Sequence, residues 1–120
     1  CGLCTFSSYR GGNLAGWASR HYMPRIASDF REDPDLMPFD FPELLASLPP
    51  RAVLVNAPLR DDNFDCAGAK RCVEAARQAC VARGCSPSRI VGIHPDCGHD
   101  FPPEARHEAY RFLENQLETL

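Results

Sequence analysis

Two short stretches of this chain carry the residues best suited to acid–base chemistry. The first is Pro58-Leu59-Arg60-Asp61-Asp62-Asn63, with two adjacent carboxylates, and the second is His94-Pro95-Asp96-Cys97-Gly98-His99-Asp100-Phe101. A carboxylate that accepts from one imidazole nitrogen fixes the tautomer and stabilises the imidazolium, which leaves the other nitrogen as a base. Either Asp61 or Asp62 can serve His99 in this way, with Asp96 and Asp100 as fallback acids. The bland counterparts are as definite. Asp-Asp-Asn after a strand is good turn chemistry, and a histidine between glycine and aspartate suits a solvated loop. Thiols are the other reactive groups, and the seven cysteines are an odd number, so at least one cannot pair within the chain. Cys1 and Cys4 form a C-x-x-C, and with His94 and Cys97 they could compose a zinc site. With no second C-x-x-C or H-x3-H present, reduced thiols packed in a core are the better expectation, and no metal is assigned.

The elements that must position these groups begin at Asp40. Asp40, followed by Pro42 and Glu43, has the form of a capping box, and predicts a short helix over Pro42 to Leu48 stopped by Pro49-Pro50. Ala52-Val53-Leu54-Val55-Asn56 is a continuous apolar run, the signature of a buried parallel strand. Residues 66–83 place Ala69, Cys72, Val73, Ala76 and Cys80 at helical spacing, with Gly84 as the C-terminal cap. A second strand covers Arg89 to Ile93, and a last helix runs from Pro103 to about Thr119 with Ala109, Phe112, Leu113 and Leu117 on one side. Strand, helix and strand make a βαβ unit with parallel strands. Residues 1–38, rich in glycine, proline and aromatics, show no sustained period and are expected to wrap over the site, packed down by Tyr9, Trp17, Tyr22 and Phe30.

Length and composition set the class. One hundred and twenty residues with 44% hydrophobic and 24% charged content suit one small domain or a piece of a larger one. Thirteen basic against sixteen acidic residues, net −3, give no electrostatic footprint for nucleic acid, and no apolar run approaches a membrane span. Two strands do not make a stable sheet by themselves. The expectation is therefore a C-terminal portion, residues 39–120, of a larger α/β protein, with a sheet edge exposed to self-association.

Acid loop after one strand, histidine loop after the next, and a closing helix follow the end of the Ser…Asp…His order of α/β-hydrolases. From Trp17 to Leu120 the chain resembles the C-terminal part of a serine hydrolase of that superfamily. It is most similar to the acetyl xylan esterases, dienelactone hydrolases and prolyl oligopeptidases. Pro58-x-x-Asp61-x-x-Phe64 resembles the family's G-x-x-D-x-x-V frame around the acid, with proline for glycine, and favours Asp61 over Asp62. Gly98-His99-Asp100-Phe101 is similar to its G-H-x-F around the catalytic histidine. The resemblance implies the last two strands of a three-layer α/β/α sheet. It also implies a small-molecule ester as substrate, an acylated carbohydrate among the options, and no cofactor. Asp61 and His99 would be catalytic, and Trp17 and Tyr22 would line an acyl or sugar pocket or else anchor the N-terminal segment.

The departure from the family is large. No G-x-S-x-G is present, and Ser7, Ser8, Ser19, Ser28, Ser47, Ser86 and Ser88 all lack that setting. The chain is expected to hold two members of a triad and, alone, to hydrolyse little. The competing expectation is a non-catalytic α/β module that binds or assembles. Localisation is not legible in these residues.

Overall fold

The computed structural model describes residues 12–118. Six regular elements carry the fold: α1 (Arg25–Ser28), α2 (Phe41–Ala46), β1 (Val53–Asn56), α3 (Cys66–Ala82), β2 (Ile90–Ile93) and α4 (Pro103–Leu117), with one short 3-10 turn before α1 and two more between later elements. The chain is thus mixed α/β. The two strands pair in parallel with Val53 opposite Ile90 and Asn56 opposite Ile93, and α3 is the crossover between them.

Each boundary has a local cause. The Asp40 carboxylate accepts from the Phe41 amide at 2.7 Å while Glu43 Oε2 accepts from the Asp40 amide at 2.8 Å, a reciprocal cap at the start of α2. Asp65 caps α3, its two oxygens taking the amides of Ala67 and Gly68 at 3.1 and 2.9 Å. At the other end of α3, Gly84 sits at φ +76°. Its amide donates to Val81 and the Cys85 amide to Cys80, both at 2.9 Å, the paired bonds of a Schellman stop.

The periodicity of α3 predicts its buried face, and Ala69, Cys72, Val73, Ala76 and Cys80 are all buried. With Ala46 and Ile90, the Val73, Ala76 and Cys80 side chains form the main core, packed by Leu45, Val55, Ala79 and Cys85. A second cluster holds the N-terminal segment: Leu14, Ile26 and Met37 at its centre, with Trp17, Met23, Phe30, Phe39 and Phe41 around them. The helix α2 joins the two, giving Phe41 to one cluster and Leu45 and Ala46 to the other. The region from residue 12 to 38 thus has a core of its own and one helical turn, α1, that periodicity does not announce.

The last helix departs from expectation. Ala105 and Ala109 are buried and Phe112 is half-buried, but Leu113 and Leu117 stand 45% and 68% exposed. A two-stranded sheet is too narrow to cover the whole apolar stripe of α4, so its outer part faces solvent.

The parallel register turns the peptide groups of Leu54 and Asn56 away from β2, and those of Ile90 and Gly92 away from β1. The outer carbonyl of Ile90 accepts from Arg77 Nε at 2.8 Å. No backbone bond meets the outer groups of β1 among the described residues. Two further arginines fasten elements across the fold, Arg83 to the Ala46 carbonyl and Arg89 to Gln116, both at 2.7 Å.

Candidate active site

Beyond the strand ends the two chains stay side by side. The amides of Ala57, Leu59 and Arg60 donate to the carbonyls of Ile93, Pro95 and Cys97 at 2.9, 2.9 and 3.0 Å. Arg60 reinforces the pairing, donating to the Asp96 carbonyl at 2.7 Å and pairing with its carboxylate at 2.8 Å. Asn56 Nδ2 donates to the Asp100 carbonyl at 3.0 Å, which ties the end of β1 to the second loop. Because the loops continue the ladder, the residues that follow meet.

Those residues are Asp61 and His99. The imidazole Nδ1 lies 2.9 Å from Asp61 Oδ2 and 3.1 Å from Oδ1. Asp61 Oδ1 also accepts from the amides of Asn63 and Phe64 at 2.8 and 3.1 Å. The carboxylate therefore shapes its turn and holds the histidine at once, so the two readings of Asp61 coexist. Asp62 is exposed and takes no part. The Asp61 side chain is only 5% exposed against 57% for His99, an enclosed acid behind an accessible imidazole. Burial pushes the Asp61 carboxyl up, but the bonds from His99, Asn63 and Phe64 outweigh it and hold the group below its ordinary value.

Phe64 completes the setting. Its ring stacks on His99 with centroids 5.6 Å apart and planes 26° apart. It also meets Trp17 at 5.9 Å, and Trp17 in turn meets Phe41 at 5.1 Å. A cleft of about 350 Å³ opens beside the pair, lined by Asn56, Ala57, Pro58, Asp61, Phe64, His99 and Phe101 among others. Trp17 is not in its wall and touches Phe64, the residue stacked on His99. Tyr22 lies elsewhere, 68% exposed on a separate, more apolar cleft with Met23, Ile26 and Phe39.

With Nδ1–H donated to Asp61, the neutral imidazole keeps its lone pair on Nε2. That nitrogen makes no hydrogen bond among the described residues. The arrangement can take a proton from a nucleophile placed at Nε2 and return it to a leaving group. No described serine bonds to His99, while Ser7 and Ser8 lie outside the described residues.

The neighbouring groups have other duties. His94 Nδ1 lies 2.9 Å from the Ala57 carbonyl, a structural bond across the two loops. Asp100 accepts from the Phe101 amide at 2.7 Å, and the Asp96 carboxylate pairs with Arg60. Arg25 pairs with Asp29 on the surface. Cys1 and Cys4 lie outside the described residues, and among the described ones no three His, Cys, Asp or Glu side chains gather as metal ligands. Spacing points to His99 and to Asp61 or Asp62, the resemblance favours Asp61, and neither marks Phe64 as their partner. A Phe three residues after the acid is the signal it leaves.

No protein family, curated protein or solved structure matches the chain.

Proposed function

We propose that Asp61 and His99 are the acid and base of a Ser-His-Asp triad in an ester hydrolase. The attacking serine and the oxyanion donors belong to polypeptide outside these 120 residues. The observation that carries this reading is the enclosed Asp61 carboxylate on Nδ1 of an accessible His99, at the ends of adjacent parallel strands and beside a cleft. In the proposed reaction His99 Nε2 takes the serine proton as the serine attacks the ester carbonyl. It then protonates the departing alcohol, and repeats both transfers with water to release the acid. Asp61 keeps Nδ1 protonated and balances the transient imidazolium. The cleft is small and largely apolar, which suits a short acyl or alkyl group, and no cofactor is needed for this chemistry. The same reading takes the unpaired edge of β1 as the place where the rest of the sheet attaches, or where a second copy pairs.

The test is to express the complete open reading frame that contains this chain and label it with a fluorophosphonate while following aryl acetate hydrolysis. One serine in a G-x-S-x-G should take the label. His99→Ala should abolish labelling, and Asp61→Asn should lower turnover by about 10⁴-fold, as a wrong tautomer does. A reading frame with no such serine, or hydrolysis indifferent to His99→Ala, overturns the proposal in favour of a binding or assembly module.

A further inference from the structure

Cys80 and Cys85 flank the stop of α3 on the side of the molecule that carries the main core, and the acid–base pair makes no use of them. The Cys85 amide donates to the Cys80 carbonyl at 2.9 Å, so the Schellman turn draws the two main chains together. A disulfide needs such proximity, with α-carbons about 4.4–6.8 Å apart. Cys85 packs against the core cluster that contains Cys80, and Cys80 Sγ lies 3.5 Å from the Ser86 carbonyl. Cys80 is wholly buried while Cys85 is half-buried at the rim of the same cluster. The other described thiols are placed differently. Cys72 is buried two helical turns from Cys80, about 12 Å along α3. Cys66 faces His94 and the Ala57 carbonyl, and Cys97 lies among Arg60, Asp96 and Asp100.

We propose that Cys80 and Cys85 form a dithiol pair that small disulfides such as oxidised glutathione convert to an intramolecular disulfide across the end of α3. Cys85, the accessible thiol, loses its proton and attacks one sulfur of the small disulfide. A mixed disulfide forms and one glutathione thiolate leaves. Cys80 then gives up its proton and attacks the Cys85 sulfur, and the second glutathione leaves. In total, two protein thiols are oxidised and one glutathione disulfide is reduced to two thiols. Burial and the neighbouring Cys85 thiol raise the Cys80 pKa, consistent with Cys80 acting second. Once Cys85 is capped, the fixed turn presents Cys80 at a high effective concentration, so the mixed disulfide does not accumulate.

Trypsin reads the outcome directly, because Arg83 lies between the two cysteines and cleavage there separates them. The folded chain is equilibrated with glutathione buffers, trapped with N-ethylmaleimide and digested. The expected product joins peptide Gln78–Arg83 to peptide Gly84–Arg89 and is lighter than their sum by two hydrogens. Cys85→Ser, a change at the rim of the core, should leave Cys80 unmodified. Denaturing the chain in urea before oxidation should cut the joined peptide severalfold against other linkages. A glutathione adduct persisting on Cys85 with Cys80 alkylated overturns the proposal. So does linkage of Cys80 to Cys72, or both thiols remaining reduced throughout.

Discussion

The imidazole of His99 lies against the phenyl ring of Phe64, with centroids 5.6 Å apart, and Phe64 offers its own amide to the carboxylate that binds the imidazole. One residue thus touches both members of the pair, the base through its ring and the acid through its backbone. Ring stacking limits rotation of His99 about χ2, and the face of an aromatic ring favours a positive charge above it. The pair is therefore oriented in three directions, by Asp61, by Phe64 and by the paired loops beneath it.

Removing that ring should be felt at a distance. Phe64→Ala strips a contact from His99 and from Trp17 together, and a half-buried phenyl of this kind should cost about 2–3 kcal/mol. Trp17 is the single tryptophan of the chain, so its fluorescence reports the change without labelling. Its emission is expected to shift to the red as water enters, alongside a lower urea midpoint. An unchanged spectrum would separate Trp17 from the site.

Acid should weaken the fold through Asp61. Its carboxyl titrates below the ordinary value in the folded chain, so the unfolded chain binds more protons in the interval between the two. The stability it confers is present above about pH 3.9, the unfolded value, and is lost as pH falls through the folded one. Asp61→Asn should remove that part of the acid limb in urea titrations. At neutral pH it should cost about 1.5–3 kcal/mol, the worth of a hydrogen bond to a charged group. An acid limb identical in wild type and variant would mean that the carboxylate is solvated.

The tautomer of His99 is a separate observable. Free imidazoles favour the proton on Nε2, whereas the Asp61 contact requires it on Nδ1. Nitrogen-15 chemical shifts at a pH where the ring is neutral should show Nδ1–H in the wild type. In Asp61→Ala the population should move towards Nε2–H.

Gly84 offers a prediction free of packing. At φ +76° an added Cβ would meet no atom within 4 Å, so Gly84→Ala pays only the left-handed backbone cost, about 1–2 kcal/mol. Thermal denaturation should show the whole loss, with circular dichroism of the native state unchanged.

Much of this arrangement can be read from the chain and some cannot, for physical reasons. The face of α3 from Ala69 to Cys80 and the reciprocal cap at Asp40 and Glu43 are legible because both depend on contacts three or four residues apart. That Asp61 rather than Asp62 meets His99 follows from the loops continuing the β1–β2 ladder through Ala57, Leu59 and Arg60. That pairing spans distant parts of the chain, and no local period encodes it. The exposed Leu113 and Leu117 fail for a related reason. Periodicity locates the apolar stripe of α4, whereas its burial depends on how many strands lie beneath it. Resemblance leaves Tyr22 either at an acyl pocket or as an anchor of the N-terminal segment, and it lines a cleft of that segment beside Met23 and Phe39 while 68% exposed.

The guanidinium of Arg77 on the Ile90 carbonyl makes the sheet directional in its capacity to grow. A newcomer approaching β2 must first displace a cation from its outer rim, while one approaching β1 finds the peptide groups of Leu54 and Asn56 waiting. Lateral extension then meets less obstruction along β1 than along β2. With a strand added beside β1, the loop of Asp61 passes from the border of a ribbon to the interior of a wider sheet. The acid gains shelter on both sides, and the histidine stays at the margin where a substrate can arrive.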